Sequence, residues 1–312
     1  MILEVQHETR LEYSEPVIES ITEVRMEPAS DHDQSCRSFH LAVSPPTELF
    51  RYQDGFGNHV HHFNLLTRHE QVRILAAGIV ETHPRELSDC QATFPLELAG
   101  ADFEVLDFLR FQGPVRPTPR LNDLLDVLHP RAGTRLADLV ARVAHYIRDH
   151  FEYARDVTLA SSPIDDVLEQ GKGVCQDFTH LMIAVLRSFG VPARYVSGYV
   201  HRPNKESQSH AWCEVWLPGP GWLGIDPTND RLVDHHFVKV AVGRDFTDVP
   251  PNKGIYRGLA QETISVRVET RALERLPSLS WQEQLPPLNV PLTAMAPRSR
   301  GEPKAFEESQ QQ

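Results

Sequence analysis

The sequence predicts an α+β protein in which an N-terminal antiparallel β-sandwich is followed by a domain of helices and an antiparallel sheet. Apolar residues alternate with polar ones over residues 1 to 114, as in "ILEVQHETRLEY" and "QVRILAAGIVET", which is typical of strands with one buried face. From residue 121 the apolar period becomes helical, and it returns to strands after residue 193. The 312 residues, 40% of them hydrophobic, suffice for one large or two medium globular domains.

The first domain is predicted to contain further strands at "SITEVRMEP" and "SFHLAVSP". Between strands, "QDGFGNHV" supplies the glycine and asparagine that turns require. The Pro-rich stretch "GPVRPTPR" breaks the alternation at 113–120, and we interpret it as a linker. We therefore expect domains at 1–114 and 115–280. Residues 281–312 are rich in Pro, Gln and charge, which predicts a disordered tail.

The second domain is predicted to begin with helices. Five apolar residues of "LADLVARVAHYIRDHF" share one helix face: Leu136, Leu139, Val140, Val143 and Ile147. A further helix begins near Cys175 and is ended by Gly190 and Pro192. Strands follow at "ARYVSGYV", "HAWCEVWL", "GWLGIDP" and "VKVAVGR", and we expect "ETISVRVETRAL" (262–273) to close the same sheet.

Charge and composition exclude several classes of function. The formal net charge of -12, with no basic patch, argues against binding to nucleic acid or to anionic membranes. The N-terminus "MILEVQHETRLEYSEPV" lacks the apolar core of a signal peptide, and no run approaches the roughly 18 apolar residues of a membrane span. We expect a cytoplasmic protein whose four cysteines are reduced, and no CxxC pair indicates a zinc site.

Cys175 is the cysteine whose surroundings indicate chemistry. It lies between "GKG" and the predicted helix start, where unpaired N–H groups and the positive end of the helix dipole favour a thiolate. The glycines let a substrate backbone approach, and the polar Gln176 and Asp177 follow. The alternative is a buried, inert cysteine, the commoner state for cysteine in an apolar sequence.

A histidine and an aspartate follow on neighbouring strands. In "SHAWCEVWLP" the strand period separates His210 from a face of small apolar residues that includes Cys213, so His210 is expected on the side that meets the helix. The next strand ends in Asp226. A thiolate, an imidazole that exchanges its proton and a carboxylate that fixes the tautomer require this set of residues. An ordinary hydrogen-bonded histidine and a turn-opening Asp-Pro remain alternatives.

Several stretches of the sequence resemble the bacterial transglutaminase-like proteins, a group often labelled as cysteine peptidases. They are "GVCQDFTHL", "GVPARYVSGY", "SHAWCEVWLPGPGWLGIDPTN" and "VAVGRDFTDVPP". The leading β region, with "YSEPV" and "DGFGN", resembles the N-terminal domain of that family, so that the resemblance covers about residues 1 to 273. It implies a papain-like α+β core with Cys175 as nucleophile, His210 as base and acid, and Asp226 as orienting carboxylate.

The groups that stabilise an oxyanion are less clearly marked. The backbone N–H of Cys175 is one expected donor, because a helix N-terminus directs it outward. Tyr153 in "FEYARDVT" is the candidate for the second donor, since animal relatives use an upstream aromatic residue, and Gln176 is the fallback. A core tyrosine with a satisfied hydroxyl is the competing interpretation of Tyr153. Trp212, with Trp216 and Trp222, either walls a substrate groove or packs in the core.

The expected chemistry is acyl transfer from a peptide or protein substrate that carries an amide group. Water as acceptor gives a peptidase or amidase, which we favour because no segment visibly builds a site that excludes water; an amine acceptor gives a transglutaminase. A peptide-binding or assembly module, with the N-terminal domain docking a partner protein, is the alternative of a different class. Neither a metal nor an organic cofactor is expected: His59 and His61 lack a further ligand nearby in sequence, and no calcium-type loop occurs.

Overall fold

The computed structural model describes residues 1–83, 91–98, 102–155, 157–159, 161–203, 208–277 and 308–310. Its strands are β1 (Ile2–Val17), β2 (Glu19–Val24), β3 (Gln34–Ser44), β4 (Phe50–Gln53), β5 (His59–Leu65), β6 (His69–Thr82), β7 (Glu152–Tyr153), β8 (Lys172–Gly173), β9 (Ala193–Val200), β10 (Gln208–Leu217), β11 (Gly221–Asp226), β12 (Arg231–Leu232), β13 (Phe237–Gly243), β14 (Asn252–Arg257), β15 (Glu262–Leu273) and β16 (Glu308–Gln310). The α-helices are α1 (Phe103–Asp107), α2 (Pro119–Leu128), α3 (Leu136–His150), α4 (Ile164–Gln170) and α5 (Cys175–Ser188), and a 3-10 turn spans Phe246–Asp248.

Two antiparallel sheets form the predicted sandwich. One has the strand order β15-β1-β6-β3 and the other β16-β14-β2-β5-β4. Apolar side chains from both sheets, among them Leu11, Phe63, Ile74 and Tyr256, form a common buried cluster. The strands were predictable because their apolar residues alternate. The α+β class and the N-terminal antiparallel sheets are thus confirmed.

The sandwich takes strands from the far end of the chain. Residues 262–273 are a strand as expected, but β15 pairs with β1 from Ile2↔Leu273 to Tyr13↔Glu262, and the expectation that this strand closes the second sheet is wrong. Residues 308–310 form the short strand β16, which pairs with β14. The rest of the predicted tail, 281–307 and 311–312, lies outside the described residues.

Strand β1 contributes to the two largest hydrophobic clusters of the described residues. Its inward side chains near the start, Leu3 and Val5, belong to the core of the helical part, whereas Leu11 belongs to the sandwich core. Between them the buried His7 Nδ1 forms a 2.8 Å hydrogen bond with the Tyr199 hydroxyl of β9. The sandwich and the helical part are therefore joined by one continuous strand as well as by polar contacts.

Helices α2 to α5 and the five-stranded sheet β12-β11-β10-β9-β13 share the larger core. The Pro-rich segment 113–120 differs from the expected linker, because Val115 is buried and the segment runs into α2. There the Thr118 hydroxyl accepts a 3.1 Å hydrogen bond from the Leu121 N–H, and Pro119 takes the first helical position that suits its fixed φ. Among the helices of the described residues, none combines the length and apolarity that crossing a bilayer requires.

Candidate active site

The N-terminus of α5 is fixed by the side chain of Asp177. Its Oδ2 accepts hydrogen bonds from the Val174 N–H at 2.8 Å and from the Thr158 hydroxyl at 2.6 Å. Gly173 is needed for this arrangement, because a Cβ there would lie 2.9 Å from the Asp177 Cβ. The half-buried Cys175 is consequently held at the first residue of a rigid, otherwise buried helix.

His210 and Asp226 meet across neighbouring strands of the sheet. His210 Nε2 lies 2.8 Å from Asp226 Oδ2, and Asp226 is completely buried. The same carboxylate accepts a 2.9 Å bond from the Thr228 N–H and a 2.6 Å bond from Asn229 Nδ2. His210 also hydrogen-bonds the Cys175 side chain. Because Nε2 is engaged by Asp226, Nδ1 is the nitrogen that remains for the thiol.

The electrostatics of this cluster favour a protonated imidazole. Burial alone would lower the pKa of His210, but the charge of Cys175 and the hydrogen bond to Asp226 outweigh burial and raise that pKa to about 10. Burial would raise the pKa of Asp226, but the hydrogen bond from His210 outweighs this and holds it below its usual value. An imidazolium can thus lie between two negative groups.

Tyr153 is brought beside Cys175 by a two-stranded parallel sheet. Strand β7 pairs with β8 in the register Tyr153↔Gly173, and the Ala154 N–H donates a 2.9 Å bond to the Gly173 carbonyl. Burial, and then the charge of Cys175, raise the pKa of the Tyr153 phenol. The phenol is 46% exposed, so this tyrosine is not an ordinary core residue.

A cleft of about 240 Å³ opens beside His210. Its lining residues are Arg148, Phe151, Tyr153, Arg155, Phe178, Val200, Arg202, Ser209, His210, Thr228 and Asn229. Gln176, the fallback oxyanion donor, is buried and is not part of this lining. Sequence reasoning missed the three arginines, because Arg148, Arg155 and Arg202 come from separate segments with no common motif.

Trp212 is placed away from the cleft. It is completely buried and packs against Phe237, with ring centroids 5.3 Å apart. Gly198 makes room for it, since a Cβ there would lie 2.6 Å from the indole ring. Trp212 lines a separate cavity of about 60 Å³ together with Trp222, and its expected role as a wall of a substrate groove stays a prediction.

The alternation of β10 is as predicted, but the helix lies on the other face. Ala211, Cys213, Val215 and Leu217 share the core that contains α5. His210 alternates with these residues, so its assignment to the helix-facing side was wrong. It reaches Cys175 because it lies near the start of β10, where the strand meets the first turn of the helix.

The histidines of β5 have a carboxylate neighbour that the sequence did not reveal. Glu27 lies 3.5 Å from His61 Nε2 and 3.8 Å from His59 Nε2, and Arg51 binds the same carboxylate at 2.7 and 2.8 Å. Within the described ranges, no group of three or more His, Cys, Asp or Glu side chains is arranged to hold a metal ion.

A helix that begins at a cysteine and packs on an antiparallel sheet, with a histidine and an aspartate at the strand ends, is typical of the transglutaminase-like class of α+β proteins. The model of the Transglutaminase-like superfamily matches residues 127–227, and that of the Bacterial transglutaminase-like N-terminal region matches residues 3–81. The chain belongs to the bacterial transglutaminase-like proteins, whose superfamily members are typically cysteine enzymes.

Known proteins agree with this assignment. An uncharacterized protein of Mycobacterium leprae is 35% identical over 284 residues, covering 87% of this chain and 99% of the relative. The protein-glutamine gamma-glutamyltransferase of Pseudomonas aeruginosa is 31% identical over 168 residues, covering 47% of this chain and 25% of that enzyme. The crystal structure named "a Putative Cysteine Protease from Cytophaga hutchinsonii" is similar with a TM-score of 0.73 and 22% identity, covering 89% of this chain and 93% of the other. This similarity confirms the fold.

Proposed function

We propose that this protein is a cysteine acyl-transfer enzyme that hydrolyses a peptide or amide bond, with Cys175 as nucleophile, His210 as base and acid, and Asp226 as orienting carboxylate. The observation that carries the proposal is the hydrogen-bonded line from Cys175 through His210 to the buried Asp226. A cysteine with a purely structural role does not require a neighbouring imidazole. Here the charge of Cys175 raises the pKa of the His210 imidazole, as is typical of functional sites.

The first half-reaction forms an acyl-enzyme. The Cys175 thiolate attacks the amide carbonyl, an S–C bond forms, and the negative charge moves to the carbonyl oxygen. The Cys175 N–H at the start of α5 and the Tyr153 hydroxyl are the proposed donors to this oxyanion. As the C–N bond breaks, the imidazolium of His210 gives its Nδ1 proton to the leaving amine, which produces a thioester and a free amine.

The second half-reaction regenerates the thiolate. A water molecule gives a proton to Nδ1 of the now neutral His210 while its oxygen attacks the thioester carbonyl. The C–S bond then breaks, the carboxylic acid product leaves, and the thiolate–imidazolium pair is restored. Asp226 keeps Nε2 protonated throughout, so that Nδ1 always faces the reacting groups.

Water is the acceptor that the cleft supports better. Its lining contains Ser209, Thr228 and Asn229, so the space beside His210 is polar. Trp212 and Trp222 do not line this cleft: both line a separate cavity of about 60 Å³, Trp212 is buried, and Trp222 stacks under Arg194, whose Cζ lies 4.1 Å from the ring centroid. Amine transfer is the second candidate, favoured by the partial similarity to the Pseudomonas aeruginosa glutamyltransferase.

One experiment separates the candidates. A glutamine-containing peptide library is incubated with the protein, with and without a labelled primary amine, and the products are read by mass spectrometry. Cleavage or deamidation that ignores the amine supports the hydrolase, whereas dominant amine incorporation supports transfer. Cys175→Ser should abolish either product, and Cys36→Ser, at another half-buried thiol, should retain it. Absence of turnover, together with a Cys175 inert to thiol-directed acyl probes, would favour a peptide-binding module instead.

A further inference from the structure

The ionisable residues that line the cleft, apart from Tyr153 and His210, are all arginines. Arg148 belongs to α3, Arg155 follows β7, and Arg202 follows β9. Among the described residues of the lining there is no carboxylate, although the chain has 43 Asp and Glu against 31 Lys and Arg. Three guanidinium groups around one cleft are thus opposite in sign to the protein as a whole.

Three described acidic residues that are adjacent in sequence to lining residues are engaged by other groups. Asp149 and Asp230 both contact His145, with distances of 3.1 and 2.8 Å. Glu152 pairs with Lys172 at 2.9 Å. Among the ion pairs between described residues, none uses an arginine of the cleft. Among the described residues, Arg148, Arg155 and Arg202 are thus not paired with a carboxylate.

Arg155 connects this charge to the reacting groups. Its guanidinium donates a hydrogen bond to the Tyr153 phenol, and that phenol lies close enough to Cys175 to respond to its charge. Arg202 also acts electrostatically on the same phenol. A peptide residue spans at most about 3.6 Å, so a group bound here lies within a few residues of the bond that Cys175 attacks.

We infer that the substrate carries a carboxylate close to the reacting amide, and that Arg148, Arg155 and Arg202 bind it. This inference rests on the proposed function and adds the substrate class, an acidic peptide. Guanidinium groups suit the task because their planar donors match the two oxygens of a carboxylate. The carboxylate belongs either to an acidic side chain or to the end of the peptide chain, and a phosphate would present similar oxygens.

The test uses labelled peptides that differ only in charge, with binding measured by fluorescence polarisation. One series carries Glu, Gln or Lys at a single position, a second ends in a free acid or an amide, and a third carries phosphoserine or serine. The same Glu, Gln and Lys peptides, converted to vinyl sulfones, report the labelling rate of Cys175 by mass spectrometry. The variants are Arg155→Gln, Arg202→Gln, Arg148→Gln and Arg155→Lys.

Arg68→Gln is the matched control, because Arg68 is exposed in the turn before β6. It follows the end of β5, and the next residue, His69, pairs with Val17 of β1. His69 is seven residues, or roughly 23 Å of strand, from Ala76, which pairs with His7, and His7 contacts the Tyr199 hydroxyl near the cleft. Circular dichroism melting verifies that each variant is folded.

The Glu peptide should bind and label at least about tenfold better than the Gln peptide, since one charge-assisted hydrogen bond is worth about that factor. Arg155→Gln and Arg202→Gln should reduce this preference about tenfold each, with Arg155→Lys intermediate and Arg68→Gln unchanged. Equal rates with Glu and Gln peptides, while Cys175 still reacts, would overturn the carboxylate inference and leave the nucleophile standing. A Cys175 that no probe labels would overturn the proposed function, and the binding series would then decide the charge preference by itself. A preference for phosphoserine alone would overturn the carboxylate in favour of a phosphopeptide.

Discussion

Replacing Asp226 by Asn tests the proposed mechanism because the hydrogen bonds around this residue determine the outcome. Oδ1 accepts from two backbone N–H groups, of Thr228 at 2.9 Å and Asn229 at 3.3 Å. Oδ2 accepts from His210 Nε2 at 2.8 Å and from Asn229 Nδ2 at 2.6 Å. The backbone donors cannot turn away, so the amide oxygen of an asparagine will keep the Oδ1 position.

The amide NH₂ will then face His210 in place of Oδ2. The imidazole can pair with this donor only by making Nε2 an acceptor, which moves its proton to Nδ1 and presents the wrong tautomer to Cys175. We expect turnover to fall about 10,000-fold, as loss of the orienting carboxylate does in other triads, equivalent to ~5.5 kcal/mol of transition-state stabilisation. The Asn229 amide loses an acceptor as well, which should cost about 1 to 3 kcal/mol of folding stability.

The assay is kcat/KM as a function of pH on the best peptide from the library, with thermal melting to verify folding. In the wild type the imidazolium is lost only near the His210 pKa of about 10; in Asp226→Asn the alkaline limb should move to lower pH, because Asp226 helps to raise that pKa. Asp234→Asn is the matched control, since Asp234 also pairs with a histidine, His236, at 3.1 Å. A folded Asp226→Asn protein with wild-type turnover and an unchanged alkaline limb would refute the mechanism.

Three further results are expected. Iodoacetamide should label Cys175 before Cys36, whose thiol is kept protonated because burial raises its pKa to about 11; site-resolved mass spectrometry that finds Cys36 first would contradict this. Tyr153→Phe should lower kcat about 100-fold with KM and melting temperature nearly unchanged, and an unchanged kcat would remove the phenol from the oxyanion site. Glu214→Gln should destabilise the fold by about 3 kcal/mol, measured by urea unfolding, because Glu214 is buried between Arg194 and Lys239. Burial would raise the Glu214 pKa, but Lys239 and Arg194 lower it from 4.5 to about 2. The stabilisation of the fold by Glu214 is therefore present above pH 4.5 and is lost as the pH falls towards 2. An equal loss of stability on substitution at pH 7 and at pH 2 would contradict this.

The helices and strands of this fold were predictable where the local hydrophobic period of the sequence determines which side chains are buried. The helix that begins at Cys175 and the strands that carry His210 and Asp226 lie where the sequence placed them. Each alternation or helical stripe is a local property, since the period of the element fixes which side chains share a face. The candidate site was accessible to sequence reasoning because its three residues sit at element ends with recognisable neighbours.

Pairings between distant segments were not predictable in the same way. Nothing in "ETISVRVETRAL" specifies whether β15 pairs with β1 or with an edge of the sheet that contains β9 and β13. An amphipathic strand fits any sheet edge with a matching face. Which face of β10 receives α5 is likewise a tertiary choice, and Trp212, on the opposite face, is buried in a separate cluster with Val196 and Phe237. Glu27 reaches His61 across 34 positions of sequence, a contact that spacing alone does not reveal.

The cationic cleft and the proposed catalytic imidazolium of His210 influence each other electrostatically. Like charges disfavour one another, so the arginines at 148, 155 and 202 oppose the proton that, in the proposed mechanism, His210 keeps until the amine leaves. Asp226 and the charge of Cys175 both raise the pKa of His210 and so help to retain this proton. During attack, however, the thiolate's charge is passed to the carbonyl oxygen, and its support for the imidazolium weakens. A substrate carboxylate bound by the arginines would offset their repulsion at that moment, so acidic substrates should gain in kcat as well as in KM, and neutral analogues should lose both.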